Sequence, residues 1–191
     1  MNYNTTRNQP LYTPQQQWVF SAQGVTQMDK GCVATRAPGH EWECFFAEAN
    51  LPYITTPLFA TQDMVDSWQM PNILQLGCNP NTNCNAAQIQ AMDAFRDSML
   101  VALAPITDPA TPHGGFLSTC YQHCHQNIAS IWDRELVPLR GGGNTTVQES
   151  FWAWYSGGSG KVVAVDGEWG ANPQCCGTAS RYCSAAKWGA L

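Results

Sequence analysis

The sequence predicts an α/β layer built on a largely parallel sheet, because short apolar strand candidates alternate along it with amphipathic helices. Tyr53–Ala60, Gly115–Thr119 and Lys161–Val165 are the strand candidates, and helices at Ala86–Leu103 and Val147–Tyr155 fall between them. Nine cysteines set among Gly-, Pro- and Asn-rich loops add disulfide staples to that frame.

The stretch 1–14 reads as an arm or linker, and 15–191 as one unit, since no repeat, low-complexity tract or charge block divides it. Tyr53-Ile-Thr-Thr-Pro-Leu-Phe-Ala60 is rich in β-branched and aromatic residues and too short for a helix. It reads as a buried strand with Pro57 near its start or at an irregularity, and it delivers the chain to Thr61-Gln-Asp-Met-Val-Asp-Ser-Trp-Gln69. In Ala86–Leu103, residues Ile89, Met92, Phe95, Met99 and Leu103 recur at three- and four-residue steps and form one apolar stripe. Asn85 is placed to cap this helix, with Gln88 as the reciprocal partner of a capping box. Gly115-Phe-Leu-Ser-Thr119 runs straight into Cys120-Tyr-Gln-His-Cys-His125, so both of the first strands end beside reactive residue types.

Composition narrows the function classes. A chain of 191 residues buries about 70% of its unfolded surface, and 44% hydrophobic with 11% aromatic residues is the balance of a globular protein. A net charge of -5, with nine Lys and Arg spread without clusters, provides no footprint for nucleic acid or anionic lipid. Apolar runs fall short of the roughly 20 residues that span a bilayer, so no membrane span is expected. The polar start MNYNTTRNQP shows no signal peptide, which leads to the expectation that a leader has been removed or that the true start lies upstream.

The cysteines are Cys32, Cys44, Cys78, Cys84, Cys120, Cys124, Cys175, Cys176 and Cys183. Short-range pairs such as Cys32 with Cys44 and Cys78 with Cys84 frame irregular loops, as in an oxidising compartment, and secretion is the expected localisation. Sequons at Asn4 and Asn144 agree with it as glycosylation candidates. The odd count leaves at least one cysteine free or paired outside the chain.

Catalytic groups in open α/β sheets gather beyond the carboxyl ends of strands. Asp63 and Asp66 sit at one such end, and His123 and His125 at another. A carboxylate that orients an imidazole across neighbouring strand ends makes a general base, and the order Asp then His matches the hydrolase order Ser, Asp, His. Each residue also has a bland reading, Asp as a turn or cap and His as a packed or solvated side chain. Cys120, His123, Cys124 and His125 are formally a zinc set, but adjacent ligand positions are cramped and oxidising surroundings favour disulfides. No metal and no cofactor is expected.

Ile54-Thr-Thr-Pro-Leu-Phe59, Val65-Asp-Ser-Trp-Gln69 and Asn72-Ile-Leu74 resemble the strand and acid loop of plant pectin acetylesterases, where a TPLF strand leads to YDSWQ and NIL. Thr119-Cys-Tyr-Gln-His-Cys124 resembles the same family's SCFAHC histidine segment. Cys44-Phe-Phe46, the helix to Leu103 with its Phe95-Arg96, Trp132, and Val163–Trp169 as a variant of AVGDW follow in the family's order, over about Val19–Cys183. The resemblance is to the C-terminal part of the pectin acetylesterase and Notum family, and it implies an α/β-hydrolase-like fold.

Carried over by position, Asp66 matches the triad acid and His123 the general base, with Asp63 and His125 as bystanders. The resemblance further implies that Trp68 and Gln69 shape the loop holding Asp66. It also implies that Cys120 and Cys124 are bridged to partners among Cys175, Cys176 and Cys183, pinning His123. In the family reaction a serine attacks an acetyl ester on pectin, an acyl-enzyme forms and water releases acetate; the animal branch instead removes a fatty acyl group from a signalling protein.

The chain departs from that pattern at the nucleophile, which the family carries on a GCSAGG elbow upstream of the acid. The single upstream serine, Ser21, lies in Trp18-Val-Phe-Ser-Ala-Gln-Gly24 without a glycine two residues before it, and reads as a turn or cap residue. Gly157-Gly-Ser-Gly160 comes after the histidine, has Lys161 where the elbow needs a small residue, and reads as a flexible loop. The isolated chain is therefore expected to be inactive, with the serine and oxyanion donors on a missing N-terminal segment or a second chain. Such a partial sheet would leave an inner strand with bare backbone groups. The alternative is a non-catalytic secreted subunit that binds glycan or serves a structural role.

Overall fold

The computed structural model describes residues 7, 9–124, 128–139, 142–157 and 162–175. Helices α1 (Tyr12–Ala22), α2 (Lys30–Ala34) and α3 (Ala47–Asn50) precede strand β1 (Phe59–Asp63), which leads into α4 (Gln69–Asn72). Helices α5 (Ala86–Ala102) and α6 (Ala104–Thr107) precede β2 (Gly114–Ser118). Helix α7 (Ala129–Trp132), the short strands β3 (Val137–Pro138) and β4 (Asn144–Thr145), helix α8 (Val147–Tyr155) and strand β5 (Val163–Val165) follow. The sheet has the order β1-β2-β5, parallel throughout, with Phe59 opposite Gly114, Asp63 opposite Ser118 and Leu117 opposite Val165. The separate β3–β4 pair is antiparallel, and Leu139 bridges antiparallel to Ala164. Among the described residues β1 has no second strand neighbour.

The α/β architecture with a mostly parallel sheet and flanking helices thus holds, and it follows from how the side chains divide between the faces of the sheet. Leu117 faces a core formed with Met64, Val65, Met92 and Phe95, whereas its neighbour Phe116 packs with Val137, Val147 and Ala164 on the other side. On α5 the residues Ile89, Met92, Phe95 and Met99 are buried, which realises the stripe read from the sequence, and burial of each side chain is worth about 1.5–3 kcal/mol. The capping box at its start is complete: Asn85 accepts from the Gln88 N–H and Gln88 returns the bond to the Asn85 N–H. Helix α8 has the expected span and an equivalent box between Thr146 and Glu149. Two glycines open β2 because neighbours approach from both sides. A Cβ on Gly114 would lie 2.6 Å from Trp154 and one on Gly115 would lie 2.6 Å from Ile106.

The first strand corrects the sequence expectation. Tyr53 belongs to a 3-10 turn at Leu51–Tyr53, and the extended pairing starts at Phe59 and runs on to Asp63. Pro52 favours the turn and Pro57 has no N–H to give a ladder, so the strand is set by its register with β2 and not by β-propensity. Helix α1 begins within the stretch expected to be an arm, and the Tyr12 ring packs edge-on against Phe46 at 6.3 Å and Trp68 at 6.2 Å.

Disulfides join Cys32 to Cys44 and Cys78 to Cys84, the two short-range pairs. A third, Cys120–Cys175, closes 55 residues and ties the segment after β2 to the one after β5. Cys124 differs from the expected bridge: its thiol is exposed and unbridged among the described residues. Cys176 and Cys183 lie outside the described residues, as do Asn4, His125 and residues 158–161.

Candidate active site

The parallel strands β1 and β2 deliver their carboxyl ends side by side. After β1 the buried Met64 and Val65 anchor the chain in the core and present Asp66, which is 4% exposed. Its Oδ1 accepts from the Trp68 and Gln69 N–H groups, both at 2.8 Å, donors that a helix start leaves without intrahelical partners. With Oδ1 so engaged, Oδ2 faces His123 and accepts from Nδ1 at 2.7 Å. Two backbone bonds hold the strand ends in register: Met64 N–H to the Ser118 carbonyl at 2.7 Å and Ser67 N–H to the Gln122 carbonyl at 3.0 Å.

The Trp68 indole stacks on the His123 ring with centroids 6.2 Å apart and planes 27° from parallel. Committing Nδ1–H to the carboxylate leaves Nε2 as the acceptor of the neutral ring, and Nε2 has no hydrogen-bond partner among the described residues. The His123 side chain is 43% exposed. An imidazole oriented by a buried carboxylate, with its far nitrogen free, is the arrangement of a general base.

Several supporting residues were not legible in the sequence. Gln122 donates from Nε2 to Asp63 Oδ1 at 3.2 Å and to Glu135 Oε2, and Asp63 Oδ1 also accepts from the Ser118 hydroxyl at 2.8 Å. Asp63 thus lies beneath the histidine segment, joined to it through Gln122. Asp166, just beyond β5, accepts from the Asn172 side chain at 2.9 Å and from the Thr119 N–H at 3.3 Å. Burial pushes its carboxyl above the usual aspartate range despite these bonds. The strand-end rule that brought forward Asp63 and Asp66 applies equally to Asp166, which directly follows the Lys161–Val165 strand candidate. Burial, and then the charge of Asp66, raises the Tyr121 phenol.

Ser21 lies on α1, where its hydroxyl donates to the Gln17 carbonyl at 3.0 Å. Gln69 serves through its backbone N–H, while its own side-chain Oε1 is buried without a hydrogen-bond partner among the described residues. Asn144 is exposed at the start of β4. The zinc set loses a ligand because the Cys120 sulfur is bonded to Cys175; the nearby Cys120, Glu135 and Cys175 group has the same defect. No helix of the described residues is long and apolar enough to cross a membrane.

A family model described as pectinacetylesterase matches residues 4–176. The chain belongs to the pectinacetylesterase family. Pectin acetylesterase 7 of Arabidopsis thaliana is similar at 33% identity over 128 residues, covering 61% of this chain and 32% of that protein. Pectin acetylesterase 11 from the same plant is 32% identical over 123 residues, with 59% and 31% covered. Pectin acetylesterase 5 is 29% identical over 170 residues, which takes in 82% of this chain and 38% of the relative. The matches span about a third of the length of these relatives. Membership of the pectinacetylesterase family agrees with the parallel sheet, and the α/β-hydrolase-like class stands.

Proposed function

We propose that this chain is the acid- and imidazole-bearing part of a secreted carboxylic-ester hydrolase that deacetylates cell-wall pectin. Asp66 orients His123, His123 is the general base, and a serine nucleophile with its oxyanion donors comes from polypeptide outside this chain. The observation that carries the reading is the 2.7 Å Asp66–His123 bond, which commits Nδ1 to the carboxylate. Three disulfides and family membership support a secretory-pathway or extracellular location.

In the proposed reaction Nε2 takes the serine proton while Oγ bonds to the acetyl carbonyl carbon. The Asp66 carboxylate stabilises the imidazolium that results. As the tetrahedral intermediate collapses, the sugar oxygen leaves with the proton from Nε2–H, and an acetyl-serine remains. Water then gives its proton to Nε2 as it attacks the acetyl carbon. The second collapse expels the serine oxygen, which recovers that proton, and acetate departs. The chain supplies every proton transfer and no nucleophile, so alone it retains little rate.

The test is acetate release from acetylated pectin by the chain alone and by the chain joined to the upstream region of a relative that bears the serine. Expected is no turnover alone, turnover when joined, and loss of it in His123→Ala. Activity of the joined protein that survives His123→Ala would end the proposal. A joined protein that binds pectin and never turns over would favour the glycan-binding alternative.

A further inference from the structure

We infer that Gln122 is a positioning residue that holds the His123 ring against Asp66, a role that rests on reading that pair as base and acid. Its anchorage comes from both backbone and side chain. The Gln122 carbonyl accepts from the Ser67 N–H at 3.0 Å, one residue past Asp66, and joins the histidine segment to the acid loop. Its side-chain amide donates to Asp63 at the tip of β1 and to Glu135 in the segment before β3. Asp63 is 2% exposed and Glu135 8% exposed, so both oxygens receive the bond away from bulk water. An amide NH2 has two hydrogens to give, one for each carboxylate. Without that donor the two acids lose a partner where buried acceptors are costly to leave unmade.

The His123 ring has few side-chain contacts of its own, so an anchor on the preceding residue bears on its direction. Among the described residues its contacts are one hydrogen bond and a stack on Trp68, itself 42% exposed, so its direction is inherited from the backbone. The next residue, Cys124, has φ +52°, a left-handed conformation that a side chain other than glycine adopts only when its surroundings impose it. Gln122 lies immediately before this strained turn and fixes its near end. In the family's SCFAHC run the corresponding residue is alanine, which has no donor, so the side-chain anchor is a property of this chain's own sequence.

The experiment uses Gln122→Met, which keeps length and bulk and removes the donors, in the 191-residue chain labelled with 15N. Wild type is expected to show a downfield His123 Nδ1–H resonance that disappears in Asp66→Asn. In a folded Gln122→Met chain that resonance broadens or vanishes, and in the serine-bearing joined protein kcat falls about 10- to 100-fold. KM stays within about twofold, because binding contacts are untouched. A folded Gln122→Met protein that keeps both the resonance and kcat overturns the inference and leaves the acid–base reading intact. Absence of the resonance from wild type removes that reading itself, and this inference with it. If Gln122→Met does not fold, the wild-type Gln122 side-chain amide protons decide: downfield and slowly exchanging supports the anchor, random-coil shifts with fast exchange overturn it.

Discussion

At the scale of single residues, the chemistry rests on which atoms of Asp66 are already committed. Replacing Asp66 with Asn preserves an oxygen for the Trp68 and Gln69 N–H groups but turns an NH2 toward His123. The ring must then accept at Nδ1 and carry its proton on Nε2, the tautomer that cannot act as a base. Asp66→Asn is expected to lower kcat of a serine-completed protein about 10⁴-fold with the fold retained, measured by acetate release and circular dichroism. Asp166 has a different consequence. Its carboxyl is raised by burial, so the folded chain holds that proton more tightly than the unfolded chain. Its contribution to stability is complete below about pH 4 and is lost as pH rises through the raised value. Asp166→Asn therefore flattens the decline of melting temperature above about pH 4, and equal slopes in both proteins would contradict this. Asp66 and His123 were legible in part because each comes after a strand candidate, and the resemblance to the pectin acetylesterase acid and histidine segments set them apart from Asp63 and His125. Gln122 and Glu135 were not, since their role arises only when Asp63, 59 residues from Gln122, comes beside them.

Among the secondary-structure elements, those that satisfy themselves locally were legible and those that depend on a partner were not. Helices α5 and α8 each carry their stripe and both halves of a capping box within a few residues of sequence. Asn85→Ala is expected to destabilise the chain by about 1 kcal/mol in urea unfolding, through loss of the cap. Gly114→Ala should cost about 1–3 kcal/mol in the same measurement, because Trp154 and Phe59 already occupy the space its methyl needs. Strand β1 was placed several residues early. Its propensity-rich part, Tyr53 to Leu58, is held out of the sheet by a 3-10 turn and two prolines, while the polar Thr61 and Gln62 are extended because β2 pairs with them.

For the whole molecule, the long-range crosslink carries more than the local ones. Cys120–Cys175 closes 55 residues and Cys78–Cys84 only 6. Loop-closure entropy makes the first worth about 4 kcal/mol and the second about 2. Cys120→Ser with Cys175→Ser should therefore lower the urea midpoint more than Cys78→Ser with Cys84→Ser, and the reverse order would show that strain or residual unfolded structure dominates. The longer bridge also fastens the residue two positions after β2 to the segment that follows β5, its neighbour in the sheet. By itself the sequence determined the class of fold, the capped helices, the two short disulfides and the pair of residue types at adjoining strand ends, because each is written within a few neighbouring positions. Only the tertiary structure decided where β1 begins, which cysteine reaches Cys120, that Cys124 stays unbridged among the described residues and that Gln122 joins two buried acids. Those outcomes depend on groups far apart in the chain, and which of them meet is fixed by packing and strand register.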